Sequence, residues 1–101
     1  MFTVNDISER LYSVFEQNGV LKAILFGSYA NGTATKDSDI DLVVETEPHV
    51  RGYKFVGLVR PILDALNINE MDLISSRSIV PNGPIAIEIE KNGVVIYERK
   101  R

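Results

Sequence analysis

The 101-residue chain contains no cysteine, so it can form neither disulfide bonds nor thiolate metal sites. Zinc fingers and enzymes with a cysteine nucleophile are therefore excluded. No apolar run approaches the ~20 residues that span a bilayer, and the opening Met-Phe-Thr-Val-Asn-Asp lacks the basic start and apolar core of a signal peptide. We therefore expect a cytoplasmic protein with no membrane partner.

Basic residues are also few. The 11 lysines and arginines are outnumbered by 14 aspartates and glutamates, which gives a net charge of -3 at pH 7. Only the last three residues, Arg-Lys-Arg, form a basic run, whereas proteins that bind nucleic acids cluster such residues to hold phosphates. The composition therefore argues against dedicated nucleic-acid binding.

Length and composition are those of one small globular domain. The chain is 45% hydrophobic and 25% charged, which is ordinary for a folded protein and unlike a disordered one. A chain of 101 residues is long enough for one core. We therefore predict a single domain over residues 1–101.

A glycine-rich turn follows the first apolar segment. Residues 27–32 read Gly-Ser-Tyr-Ala-Asn-Gly, directly after the apolar residues 21–26. Glycine lets the backbone approach a phosphate closely, and free N–H groups at the start of a helix favour an anion there. Gly27 and Ser28 are therefore candidate phosphate ligands, although the Gly-Lys-Ser/Thr of a Walker loop is missing.

Two aspartates occupy alternate positions shortly after this turn, in the run Ser-Asp-Ile-Asp-Leu at 38–42. Alternate side chains of an extended segment share a face, so Asp39 and Asp41 are predicted to lie side by side. Such like charges repel unless a cation lies between them, and Mg²⁺ selects oxygen ligands of this kind. A calcium loop is excluded, because Leu42 and Pro48 stand where it needs Gly and Glu.

Taken together, Gly-Ser-x-Ala-x-Gly, five further residues and Ser-Asp-x-Asp-Leu resemble the signature of the minimal nucleotidyltransferases. These are the smallest members of the DNA-polymerase-beta-like nucleotidyltransferase superfamily. The resemblance covers nearly the whole chain, because Met-Asp-Leu-Ile at 71–74 and the segment 91–98 also look like this family. It implies an α/β protein with the nucleotidyltransferase fold, a mixed β-sheet packed with α-helices.

The resemblance also implies the chemistry. Asp39, Asp41 and Asp72 would bind two magnesium ions and promote in-line attack of an acceptor hydroxyl on the α-phosphorus of ATP, with pyrophosphate leaving. Asp72 would in addition act as general base. Gly27 and Ser28 would hold the β- and γ-phosphates.

The acceptor is also suggested by the resemblance. Small stand-alone proteins of this kind are often encoded with a HEPN-domain ribonuclease toxin and act as its antitoxin, transferring AMP to a tyrosine of the toxin. The implied partners are therefore that toxin and ATP, and a second copy of the chain could complete the acceptor pocket. Two alternatives stay open: an antitoxin that only binds and masks the toxin, and a small-molecule nucleotidyltransferase of the aminoglycoside-modifying sort.

One position departs from the family pattern. Many relatives carry arginine where this chain has Asn31, which offers no charged donor to a triphosphate. Lys36 and Arg77 are the candidates to replace that arginine. Gly32, at the end of the motif, is expected to serve the turn rather than to contact a ligand.

Capping residues and hydrophobic periodicity predict four helical and four extended segments. The predicted elements are a helix over 6–18 with Asp6 as N-cap and Glu9 in its capping box, a strand over 21–26, a short helix after Ser28, a strand over 39–45, a helix over 51–66 interrupted by Pro61, a strand over 69–74, a helix from Pro84 closed by Gly93, and a strand over 94–97.

Overall fold

A computed structural model of the chain describes residues 2–35 and 38–100. Lys36, one of the candidates to replace the family's arginine, lies outside these ranges. The elements are α1 (Val4–Gln17), β1 (Val20–Phe26), α2 (Ser28–Asn31), β2 (Asp41–Thr46), α3 (Tyr53–Val56), α4 (Val59–Leu66), β3 (Asp72–Ser75), a 3₁₀ turn (Ser76–Ser78), α5 (Pro84–Asn92) and β4 (Val94–Glu98). No helix in the described part of the chain is both long enough and apolar enough to cross a bilayer.

The four strands form one sheet in the order β3-β2-β1-β4. β1 is antiparallel to both β2 and β4, whereas β2 and β3 run parallel. A parallel pair needs a crossover connection, which α3 and α4 supply between β2 and β3. The mixed sheet packed with helices that the sequence predicted is therefore confirmed.

One face of the sheet packs against α1 and α4. The core cluster combines residues of both helices with alternate residues of the central strands: Ile7, Leu11, Phe15, Ile62 and Leu66 from the helices, and Ala23, Leu25, Leu42 and Val44 from the strands. Because side chains alternate along a strand, the residues between them, including Asp41, point to the opposite face. α1 and α4 therefore lie on the side of the sheet opposite Asp41, whereas Val43, on the same side as Asp41, is buried outside this cluster.

The first helix begins earlier than predicted. Thr3, not Asp6, is the N-cap: its hydroxyl accepts from the Asp6 N–H at 3.0 Å, and the Asp6 carboxylate accepts from the Thr3 N–H at 2.9 Å. These hydrogen bonds from Thr3 lower the pKa of Asp6. Glu9 takes no part in the capping box and instead accepts from Asn5 at 3.1 Å. The prediction was wrong by one turn because Thr3 and Asp6 make the same capping pattern three residues upstream.

The predicted helix over 51–66 is divided into α3 and α4, as Pro61 suggested. Proline has no N–H to donate to the carbonyl of Gly57, four residues earlier, so a continuous helix would lack that bond. The chain instead turns at Gly57 and Leu58, and Pro61 falls in the first turn of α4, where a missing N–H costs little. The start of α2 at Ser28 and the span of α5 also agree with the sequence.

Two strands are shorter at their N-terminal ends than predicted. β2 begins at Asp41 instead of Asp39, and β3 begins at Asp72 instead of Asn69. Both strands begin where they pair with each other, because the register of β2 with the edge strand β3 starts at Asp41 and Asp72. Asp39 therefore lies just before β2 rather than within it.

Loss of the observed cap should weaken the protein measurably. We expect Thr3→Ala to lower the free energy of unfolding by about 1 kcal/mol, because the N–H of Asp6 in the first turn of α1 loses the hydroxyl that accepts its hydrogen bond. Urea denaturation followed by circular dichroism measures this change. Ser13→Ala, an exposed substitution in the same helix, is the control; an equal effect of both substitutions would contradict the capping role.

Candidate active site

Three strand ends meet at one end of the sheet. Asp41, the first residue of β2, is in register with Phe26, the last residue of β1, and with Asp72, the first residue of β3. The N–H of Asp72 also donates to the carbonyl of Ile40 at 2.9 Å. The backbone therefore fixes two aspartates from distant parts of the sequence next to each other.

Both side chains point to the face opposite the core. Asp41 alternates with the buried Leu42 and Val44, so its carboxyl points away from them. Asp72 is the partner of Asp41 in register, and residues in register on adjacent strands share a face. The sheet thus presents a pair of carboxyls at one end of the face opposite α1 and α4.

The ionised form of Asp41 is disfavoured in this arrangement. Four effects together raise the pKa of Asp41 to about 6: burial, which is the largest, a hydrogen bond with the Asp72 carboxyl, the charge of Asp72 and the charge of Asp39. A carboxyl pair of this kind favours a shared proton or a bound cation. The arrangement has the electrostatic properties of a cation site.

The glycine turn lies directly against this pair. Gly27 has φ 77° and ψ -155°, a conformation that L side chains rarely adopt. A Cβ atom built on Gly27 would overlap the Oδ2 atom of Asp41. Glycine at this position therefore allows the backbone of the turn to approach the Asp41 carboxylate, whereas the sequence had predicted an approach to a phosphate.

Ser28 follows as the first residue of α2, a single helical turn. The carbonyl of Gly27 accepts from the N–H groups of Ala30 and Asn31, both at 3.1 Å, which holds the turn closed. Gly32 ends the turn in the left-handed conformation, with φ 82° and no atom near its missing Cβ. The conformational role predicted for Gly32 is therefore confirmed.

The side chain of Asn31 forms hydrogen bonds within its own loop. Its Oδ1 atom accepts from the N–H of Thr33 at 3.1 Å and from the hydroxyl of Thr33 at 2.6 Å. This is the local turn that asparagine commonly forms. The side chain that stands in place of the family's arginine thus stabilises the loop and supplies no positive charge.

Arg77 does not replace the missing arginine, and that prediction was wrong. Its guanidinium donates to the hydroxyl of Thr46 at 3.1 Å and to the carbonyl of the same residue at 3.0 Å. Thr46 ends β2, five residues after Asp41, so roughly 16 Å of strand separates the two. Arg77 therefore stabilises the opposite end of the sheet.

The acidic residues form a pair rather than a closed cage. Within residues 2–35 and 38–100, no three His, Cys, Asp or Glu side chains group closely enough to hold a metal unaided. Asp41 and Asp72 lie together, and Asp39 is exposed and influences Asp41 only through its charge. Two carboxylates nevertheless fit Mg²⁺, which commonly takes one or two protein carboxylates and completes its shell with substrate phosphates and water.

Sequence reasoning did not identify the part played by Ile40. This residue is 2% exposed, and its carbonyl holds the N–H of Asp72. Burial of its side chain anchors the segment between Asp39 and Asp41, while its backbone joins β2 to β3. The sequence did indicate that the side chain of Ile40 would be buried, because it is one apolar residue between two aspartates.

Comparison with known families and proteins adds an independent line of evidence. The family described as Polymerase beta, Nucleotidyltransferase matches residues 9–101. A protein of Methanocaldococcus jannaschii, named as a candidate protein adenylyltransferase, is 31% identical over 80 residues, which cover 77% of this chain and 83% of that protein. The region matched by the family, residues 9–101, includes the glycine turn and all three aspartates.

Solved structures share the fold. A chain in a crystal structure of a toxin-antitoxin with AMP-PNP superposes with a TM-score of 0.74 at 22% identity, covering 92% of this chain and 74% of that one. A chain in a complex of tri-AMPylated Shewanella oneidensis HEPN toxin with MNT antitoxin superposes with a TM-score of 0.70 at 18% identity, covering 96% of this chain and 74% of that one.

The raised pKa of Asp41 predicts a pH-dependent gain in stability when its charge is removed. Between about pH 4 and pH 6 the folded protein binds more protons at this carboxyl than the unfolded chain, so the free energy of unfolding falls as pH rises through that window. Asp41→Asn cannot ionise. With chelator present, we expect it to add about 1–2 kcal/mol above pH 7 and little at pH 4.

Thermal melts at pH 4 and pH 7.5 measure this difference. The control is Glu45→Gln, an exposed carboxylate on the same strand, which should shift the melting temperature equally at both pH values. The same shift for Asp41→Asn at both pH values would refute the charge repulsion between the paired aspartates.

The contact between Gly27 and Asp41 predicts a second effect. Gly27→Ala imposes the left-handed strain and also pushes against the Asp41 carboxylate, so we expect a loss of about 2–3 kcal/mol in the free energy of unfolding. Gly52→Ala is a matched control, because Gly52 has φ 62° but open space around it. We expect this control to lose only about 1 kcal/mol.

A double-mutant cycle separates the two causes. In an Asp41→Ala background the overlapping carboxylate is gone, so Gly27→Ala should cost no more than Gly52→Ala, as measured by urea denaturation. If the larger cost of Gly27→Ala persists without the Asp41 carboxylate, the close approach of the turn to Asp41 is not its source.

Proposed function

The chain belongs to the Polymerase beta, Nucleotidyltransferase family, and we propose that it transfers AMP from ATP to a tyrosine hydroxyl of a HEPN-domain toxin, as the antitoxin of that toxin. The observation that carries the proposal is the carboxyl pair of Asp41 and Asp72 beside the turn at Gly27. The relative named as a protein adenylyltransferase supports the reaction class. The structures with AMP-PNP and with an AMPylated toxin support the donor and the acceptor.

In the proposed reaction the acceptor oxygen forms a bond to the α-phosphorus of ATP. The bond from that phosphorus to the bridging oxygen of pyrophosphate breaks, and pyrophosphate leaves with the electron pair. The proton of the acceptor hydroxyl passes to a base. Phosphoryl and nucleotidyl transfers of this kind depend mainly on positioning and on stabilising negative charge, which is the property of the site at the sheet end.

Asp39, Asp41 and Asp72 are the proposed ligands for two magnesium ions. Bound there, magnesium would neutralise charge on the triphosphate and lower the pKa of the acceptor hydroxyl. Asp41 and Asp72 lie together in the fold, and the exposed Asp39 is close enough to affect the charge of Asp41. Asp72, which is exposed, is the proposed base for the acceptor proton, because an incoming protein can reach it.

Gly27 and Ser28 are the proposed phosphate contacts. The backbone of Gly27 already lies against Asp41, so phosphates held by this turn would share the space in front of the carboxyl pair. The Ser28 hydroxyl follows directly in the chain and adds a hydrogen-bond donor. Because the proposed donor is ATP, we assign the reaction to the cytoplasm.

A second candidate is an antitoxin that masks its toxin without chemistry. The observation that favours it is Asn31, whose oxygen is engaged by Thr33 and which offers the nucleotide no positive charge. Retention of the carboxyl pair and of the strained Gly27 favours the transferase. An isolated binding protein would have no need for two repelling carboxyls.

Mass spectrometry distinguishes the two functions. We expect the chain, incubated with ATP, magnesium and the HEPN-domain toxin that we propose as its partner, to add AMP to a tyrosine of that toxin. Asp41→Asn and Asp72→Asn should each slow the transfer roughly 100-fold or more, because charge stabilisation is lost. Glu45→Gln should leave the rate unchanged. Absence of the AMP mass with the unmodified chain, together with full neutralisation of the toxin, would establish the masking function instead.

A further inference from the structure

A groove lies along β3 and begins one residue after Asp72 of the carboxyl pair. It has a volume of about 420 Å³. Its walls come from the loop before α3, from α3 itself, from β3 and from the following 3₁₀ turn; they include Val50, Arg51, Phe55, Leu73, Ser75 and Arg77. The lining therefore combines apolar side chains with two arginines.

The groove is positively charged in a protein that is negative overall. Among the described residues, none of those that line the groove is Asp or Glu, whereas Arg51 and Arg77 both line it. Arg77 is held in place by Thr46, at 3.1 and 3.0 Å, and Arg51 is exposed. The net charge of the chain is -3, so this local excess of positive charge selects acidic groups.

The groove also borders an open strand edge. β3 ends the sheet order, so within the described residues its outer backbone groups have no strand beside them. An exposed edge accepts an extended segment through main-chain hydrogen bonds, while adjacent pockets take its side chains. α3, which contributes Phe55 to the groove, leaves Tyr53 82% and Val56 66% exposed.

We propose that this groove binds an extended acidic segment of the acceptor protein, which adds to the edge of β3. The inference rests on the proposed function and names the surface by which the acceptor is recognised. Leu73 of the groove directly follows Asp72 in β3, and the whole strand from Asp72 to Ser75 spans roughly 10 Å. A segment docked along β3 therefore leads to the carboxyl pair, where the neighbouring tyrosine would react.

Binding without nucleotide tests this surface separately from the chemistry. Calorimetric titration of the HEPN-domain protein into the chain should give a dissociation constant about 10-fold or more weaker for Arg51→Glu. Lys100→Glu, which makes the same change of charge at an exposed position outside the groove, should bind as the unmodified chain does. Higher salt should weaken binding of the unmodified chain more than that of Arg51→Glu.

Steady-state kinetics gives a second readout. Arg51→Glu should raise the KM for the acceptor protein about 10-fold and leave kcat and the affinity for AMP-PNP unchanged, because the substitution removes recognition and not charge stabilisation. Circular dichroism and thermal melts check that the variant is folded. Recovery of binding when an acidic residue of the acceptor segment is changed to lysine would identify the contacting residue.

The outcomes separate the groove from the reaction. If Arg51→Glu binds the acceptor protein as tightly as the unmodified chain does, the groove is not the binding surface for the acceptor, even if AMP transfer proceeds. Conversion of a dimer to a monomer by Arg51→Glu, without loss of acceptor binding, assigns the groove to a second copy and also overturns the proposal. Binding that depends on Arg51 without any AMP transfer supports the groove and refutes the proposed reaction.

Discussion

Two like charges held next to each other by the backbone define this protein. Asp41 and Asp72 face one another because β2 and β3 pair in parallel from their first residues, and the bond from the Asp72 N–H to the Ile40 carbonyl sets that register. Their repulsion opposes folding unless a proton or cation is shared, as the pKa of about 6 for Asp41 indicates. The apolar packing of Leu42 and Val44 on the other face keeps the strand in place despite this cost.

β3 joins the two surfaces that the proposed reaction needs. Its first residue carries one carboxyl of the pair, and the following residues line the positively charged groove. The acidic end suits cations and the phosphates that accompany them, whereas the groove suits an acidic protein segment. Separation of opposite charges along one edge strand thus gives the nucleotide and the acceptor different places to bind, a short distance apart.

Local patterns in the sequence predicted the parts of the site that depend on neighbouring residues. Alternation placed Asp41 away from Leu42, and the glycine at position 27 indicated a close backbone approach, although not that Asp41 was the group approached. The contact of Asp41 with Asp72 depends on a parallel register set by a crossover of two helices, which no local pattern encodes. The family resemblance, rather than periodicity, pointed to Asp72. Arg77 was misplaced for the same reason, because its partner Thr46 is 31 residues away.

The missing arginine changes how negative charge can be balanced in this chain. Asn31 closes its own loop with Thr33, and Arg77 is bound at the far end of β2, so neither brings positive charge to the turn at Gly27. In the proposed reaction, the triphosphate would then depend more strongly on cations held by the carboxyl pair than it would with an arginine in the turn. The repulsion between Asp41 and Asp72, a cost in the isolated protein, would become the source of that cation affinity. The same pair of side chains thereby links stability, metal affinity and nucleotide binding.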